Sequence, residues 1–194
     1  RVIVVSNYNS TMREEFPIDS IGNFIARVNV LKDGYYFFKI GRSYAKIRFK
    51  KGKDVHVNID ATDFFKSRKF TGELKYENNF NVEKSALRSK LIGDSKDYFV
   101  VPLDEFLPKI KKTKEAVFKL IEKSALSPED KELERRIAEY DYLQTYNNYQ
   151  KFYSYHKKYK ADLPDDYYKP IIEMDIDDDE MFRHSSAYRN LIIA

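Results

Sequence analysis

The sequence predicts an α+β fold, an N-terminal antiparallel β-sheet or sandwich followed by a helical segment. Two observations carry this. Up to about Gly72, apolar residues recur at every second position in short runs broken by Gly and Asp turns; beyond it they recur at three- and four-residue spacing over longer runs. The change of period divides the chain into a β-rich domain over 1–76 and a helical segment over 77–194.

The strands come first. Phe24, Ala26, Val28 and Val30 alternate with Ile25, Arg27 and Asn29, and Asp33-Gly34 then supplies the positive-φ residues of a tight hairpin leading to a return strand from Tyr35 to Ile40. Ala45, Ile47 and Phe49 face one way while Lys46, Arg48 and Lys50 face the other, the pattern of a half-buried strand with a basic outer face. Lys51-Gly52-Lys53-Asp54 is the next turn, and Val55, Val57 and Ile59 continue the alternation with His56, Asn58 and Asp60 opposite. Short strands joined by hairpins imply antiparallel pairing.

The helices follow. Phe80, Lys84, Leu87 and Leu91 sit at helical spacing, and Phe106, Ile110, Val117 and Ile121 mark a longer amphipathic helix starting near Asp104. Ser127-Pro128-Glu129-Asp130 combines a Ser cap, Pro at the first helical position and acids suited to the positive end of the dipole, so a helix starts there. Leu133, Ile137, Tyr140, Leu143 and Gln144 carry it onward to a break at Leu163-Pro164-Asp165.

Composition bounds the function. With 42% hydrophobic and 15% aromatic residues among 194, the chain can bury a core, so its 34% charged content reads as a wet surface rather than disorder. The net charge of +4 hides a division: residues 1–72 carry 14 Lys+Arg against 7 Asp+Glu, and 73–194 carry 21 against 24. No apolar run approaches the roughly 20 residues of a membrane span. The absence of cysteine removes disulfides, thiolate nucleophiles and Cys-metal sites together, and leaves the redox compartment open. A start at Arg1 without Met or a signal sequence suggests a mature or trimmed piece.

No catalytic, cofactor-binding or metal-binding residue emerges. Asp175, Asp177 and Asp179 mimic the start of a calcium loop, but the sixth position is Glu180 where Gly is needed and the twelfth is Ser186 where Glu is needed, which favours a solvated acidic turn entering a helix. His56, His156 and His184 are scattered and read as surface or structural residues. No serine nucleophile elbow or phosphate-binding glycine loop is present.

Two candidate contact surfaces remain. Lys46, Arg48 and Lys50 beside Tyr44 could hold nucleic-acid phosphates, although a solvated outer strand face is the preferred reading and nucleic acid the less favoured partner. Tyr142, Tyr146, Tyr149 and Tyr153, at 4, 3 and 4 spacing, share one helical face; packing against another layer is the preferred reading, and a flat, polar-tipped surface for a peptide, base or sugar the alternative.

The segments KKGKDVHVNID, KFTGELKYENNF, SPEDKELERRIAEYDYLQTYNNY and DYYKPIIEMDIDDDEMFRHSSAYRNLI together resemble the N-terminal, pre-thioredoxin region of Bacteroidetes TlpA-like thiol-disulfide oxidoreductases, over nearly the whole chain. The Gly52-Lys53-Asp54 turn before a strand resembles that family's Gly-Asp turn. Phe70-Thr71-Gly72 with Asn78-Asn79 resembles its strand-to-helix junction, and Ser186, Tyr188 and Arg189 its late helix. The resemblance implies a β-rich domain and helical segment preceding a C-terminal thioredoxin domain, in an exported periplasmic or cell-envelope protein often anchored as a lipoprotein. The family's Cys-x-x-Cys lies in that later domain, and with no cysteine here no redox activity carries over. The implied role is a non-catalytic scaffold, dimerisation or substrate-docking module without cofactor. Its partners would be its own thioredoxin domain, a second copy and protein substrates; a freestanding peptide- or glycan-binding module is the alternative.

Overall fold

The computed structural model describes residues 1–6 and 13–193. The fold is α+β, with antiparallel strands at the N-terminus and helices after them. The chain separates into two compact units, Arg1–Glu83 and Lys84–Ala194.

In the first unit, β1 (Val2–Ser6), β2 (Arg13–Phe16), β3 (Gly34–Ile40) and β4 (Ser43–Phe49) form an antiparallel sheet in the order β2-β1-β3-β4. Its register places Val4 opposite Phe38, Phe38 opposite Ala45, and Tyr36 opposite Ile47. These residues share one face, and with Val2, Phe64 and Phe70 they form the core of this unit. β5 (Val55–Asn58) and β6 (Lys69–Gly72) form a separate two-stranded sheet.

Two strand expectations are corrected. Residues 24–30 form no strand, although their burial still alternates. Phe24, Val28 and Val30 pack on the sheet core, Phe24 stacking on Phe38 at 5.9 Å, while the backbone N–H of Asn29 donates to the Glu14 carboxylate at 3.2 Å. An extended segment laid over a core produces the same period of two as a ladder strand. β5 also does not continue the main sheet through the turn at residues 51–54. It pairs with β6, whose last residue Gly72 adopts φ +86; a Cβ there would lie 3.0 Å from the His56 ring.

The strands then give way to α1 (Lys75–Ile92), within which the boundary between the units falls. In the second unit α2 (Ser95–Phe99) precedes α3 (Leu103–Lys123), whose Phe106, Ile110, Val117 and Ile121 are all buried, as their spacing predicts. α4 (Pro128–Asn147) packs on α3, and it is followed by α5 (Tyr149–Lys157), α6 (Lys169–Ile172), α7 (Asp179–His184) and α8 (Ser186–Ile193). The helix entered at Ser127 does not run on to Leu163. It is interrupted at Asn148, and α5 ends at Lys158 in the left-handed region. Asp178 caps α7, so the acidic run does enter a helix.

Ser127 caps α4 as its sequence context predicts. Its hydroxyl oxygen accepts from the Asp130 backbone N–H at 3.1 Å, and the hydroxyl donates to the Asp130 carboxylate at 3.1 Å. Ser127→Ala is expected to destabilise the chain by about 1 kcal/mol, seen as a lower denaturant midpoint at unchanged slope. An unchanged midpoint would show that the cap contributes nothing.

Partly buried ion pairs join α4 to the second half of α1. Lys84 pairs with Glu134, which is only 2% exposed, and Arg88 pairs with Asp141. Each places an opposite charge beside a group that would be costly to bury alone.

Candidate contact surfaces and a cleft in the helical unit

The three basic residues of the β4 region do not form an open array. Lys46, Arg48 and the polar side of Tyr35 lie on the sheet face opposite the core, but Arg48 is buried, with its guanidinium 5.2 Å from the Tyr35 ring centre. Lys46 is half-buried with its ammonium 5.9 Å from the same ring. Lys50 forms an ion pair with Glu77 at 3.0 Å. The solvated face expected for Arg48 is therefore corrected, and so is its place on a contact surface.

The first turn of α1 lies against this part of β4. The Asn78 side-chain carbonyl accepts from the Arg48 backbone N–H at 2.7 Å while its amide donates to the Arg48 carbonyl at 3.1 Å, so one side chain does what a neighbouring strand would do. Asn79 repeats the arrangement on β6, accepting from Phe70 N–H at 3.0 Å and donating to Phe70 C=O at 2.9 Å. Two consecutive asparagines thus tie one helix to a strand of each sheet in the first unit.

The tyrosine stripe packs. Tyr146 and Tyr149 are buried and Tyr142 and Tyr153 partly so, all within one aromatic cluster that includes Phe99, Phe106 and Tyr167. Tyr146 and Tyr167 stack at 4.3 Å and exchange hydrogen bonds, each hydroxyl donating to the other's backbone carbonyl at 2.7 and 2.8 Å. Tyr149 stacks on Phe106 at 4.4 Å and donates to the Val101 carbonyl at 2.7 Å. Burial pushes the Tyr149 phenol up to about 12 and raises Tyr146 and Tyr167 as well, so all three stay protonated at neutral pH and act as donors. As a contact surface Tyr146 and Tyr149 are excluded by burial.

What reaches water instead is a set of apolar side chains in irregular segments and short helices. Ile21 and Ile25 are 81% and 80% exposed in the first unit, and Ile172 and Ile176 are 79% and 72% exposed in the second. Tyr155 and Tyr159 are also exposed. Their polar neighbours carry no period that singles them out in the sequence.

Two adjoining hollows, an inner and an outer one that share Ile92, Tyr98 and Thr113, form a cleft along the second half of α1, α2 and α3, the inner one also bordered by α4. Ile92, Ile110, Val117 and Ala138 make its inner floor, and the buried Tyr98 lines it throughout, its hydroxyl 3.1 Å from that of Thr113. Arg88 and Lys114 border the inner end, and both are engaged: Arg88 with Asp141, and Lys114 with Glu139 at 3.1 Å while lying 4.4 Å over the Tyr142 ring. The outer part is bordered by Lys109 and Lys112, the first and fourth residues of the run Lys-Ile-Lys-Lys-Thr-Lys at 109–114, with Asp97 opposite in charge. That run is the one sequence signal for the cleft, and the apolar period of α3 masks it. Among the described residues, no group of three or more His, Asp and Glu is arranged to hold a metal ion, and no helix is long and apolar enough to cross a membrane.

Comparison with protein-family models, with curated proteins and with solved structures finds no match to this chain.

Proposed function

We propose that the chain is a non-catalytic contact module, acting as the scaffold, dimerisation or substrate-docking part of an exported thioredoxin-like thiol-disulfide oxidoreductase. The observation that supports this is the set of large aliphatic side chains left in water, above all Ile172 and Ile176 at 79% and 72% exposure. Burying one such side chain is worth about 1.5–3 kcal/mol, so a surface that presents several gains by covering them. The larger protein is supplied by the TlpA-like resemblance of the segments around Gly52, Gly72 and Tyr188. On this reading the chain works in the periplasm or cell envelope, and the redox thiols belong to the attached domain.

The contact role is tested by sedimentation of the chain and of the double variant Ile172→Asp/Ile176→Asp. Self-association of the unaltered chain in the range of about 10–100 μM is expected, lost in the variant at an unchanged melting temperature. A chain that stays monomeric, or association that survives both substitutions, would remove dimerisation from the reading. Insulin reduction in dithiothreitol should match the blank, because attack on a disulfide needs a thiolate and the sequence has no cysteine.

A freestanding peptide- or glycan-binding module is the second reading. Exposed Tyr155 and Tyr159 favour it, since a tyrosine ring offers a flat apolar face with a polar tip.

A further inference from the structure

We propose that the cleft between α1, α2, α3 and α4 is a binding site for a small organic anion, with a carboxylate or phosphate head at Lys109 and Lys112 and a short apolar or aromatic body along Ile92 and Tyr98. The argument starts from the charges. Of the four cations bordering the cleft, Arg88 and Lys114 already have carboxylate partners in Asp141 and Glu139. Lys109 and Lys112 have no ion pair among the described residues, and both face the outer cavity. Asp97 is the one acid bordering that outer part, so a ligand entering there meets a net positive rim. Lys109 is half-buried along its length, and an anion held at the lysines beside the apolar wall is screened less than one in open water.

The lining sets the rest of the ligand. Leu91, Ile92 and Tyr98 supply apolar and aromatic surface beside the two lysines, and the Thr113 hydroxyl sits next to the Tyr98 hydroxyl. Such a combination of apolar wall and a few convergent polar groups is the usual make-up of small-molecule sites. Size guides the choice. The outer hollow offers about 230 Å³ and opens to solvent. The inner one offers about 20 Å³, room for about one water. A single-ring acid matches the outer hollow in size. The apolar and aromatic lining at Leu91, Ile92 and Tyr98 takes the body of the ligand, with its head at the lysines.

The test is a titration of the full chain followed by amide NMR shifts, with benzoate, phenyl phosphate and neutral benzyl alcohol as probes. Saturable shifts centred on Ile92, Tyr98 and Thr113 are expected with benzoate, with phenyl phosphate, or with both, and the stronger of the two identifies the preferred head group. Benzyl alcohol should bind at least about tenfold more weakly. The double variant Lys109→Gln/Lys112→Gln should lose about tenfold or more in affinity, while Lys111→Gln, exposed on the same helix but outside the cleft, should bind as the unaltered chain does. No saturable shift up to about 20 mM, equal binding of the alcohol, or affinity that survives loss of both lysines would overturn the proposal. Should the double variant fail to fold, the comparison of charged and neutral probes on the unaltered chain still decides it. None of these outcomes depends on self-association through Ile172 and Ile176, so the contact reading and the cleft stand or fall separately.

Discussion

Phe106→Ala is expected to destabilise the helical unit by about 3–5 kcal/mol, the range for removing a fully buried aromatic side chain. Phe106 has no exposed surface and sits at the centre of the aromatic cluster. Its ring lies 4.4 Å from Tyr149, 5.5 Å from Phe99 and 6.0 Å from Tyr98, so it touches α2 and α5 at once. Truncation removes the transfer free energy of the ring and leaves a void that three rings around it cannot fill without giving up their own stacking. Tyr155→Ala is the matched control, since this residue is 68% exposed and should cost within about 0.5 kcal/mol. Denaturant midpoints of both variants check the pair. A loss below about 1 kcal/mol for Phe106→Ala would mean that the cluster can collapse onto the vacancy, and that α3 is held mainly by its partners on α4.

How far the fold was legible in the sequence follows from what each signal reports. A period tells which side of an element faces the core. That is why Phe106, Ile110, Val117 and Ile121 on α3, and Ala45 and Ile47 on β4, are all buried as their spacing predicts. A cap is a local hydrogen bond between residues three apart, so Ser127 was equally readable. A period does not name the partner. Residues 24–30 have the alternation of a strand without a ladder, and β5 pairs with β6 rather than with its predecessor. β1 and β2 are illegible for the opposite reason: Val-Ile-Val-Val does not alternate, and Arg-Glu-Glu-Phe is too polar to read as a strand.

The candidate site was less legible still, because burial of a polar side chain depends on what arrives from far along the chain. Arg48 sits on the phase that should face water, and a side chain 30 residues later covers its backbone. Nothing within β4 records this. Asn78 is the informative residue, since a short amide that can donate and accept at once is suited to clamp one peptide unit, but in the sequence it reads as a neutral helix position. The tyrosine stripe was readable as a packing face but its partners were not, among them Tyr167, 21 residues beyond Tyr146.

Alkaline pH should unfold the helical unit through the same cluster. The Tyr149 phenol is raised from its ordinary 10 to about 12, chiefly by burial, and Tyr146 and Tyr167 are raised for the same leading reason. In the unfolded chain these phenols ionise at their ordinary value, so above that pH the unfolded state loses protons that the folded state still holds. Their contribution is therefore fully present below pH 10 and is lost as the pH rises toward the folded value, for Tyr149 between pH 10 and about 12. A shift of about two units corresponds to about 3 kcal/mol for Tyr149 alone. The geometry gives the microscopic reason. An ionised Tyr149 or Tyr167 could no longer donate to the Val101 or Tyr146 carbonyl and would set a negative oxygen against the carbonyl dipole. Denaturant stability should be flat up to about pH 9 and then fall, together with the helical signal. Tyr149→Phe isolates the effect from the lysines that titrate in the same window. The variant loses one hydrogen bond at neutral pH, about 1 kcal/mol, but its stability should decline less steeply above pH 10 than that of the unaltered chain. Parallel declines would show that Tyr149 ionises in the folded protein as readily as in the unfolded one, and that its burial is not maintained in solution.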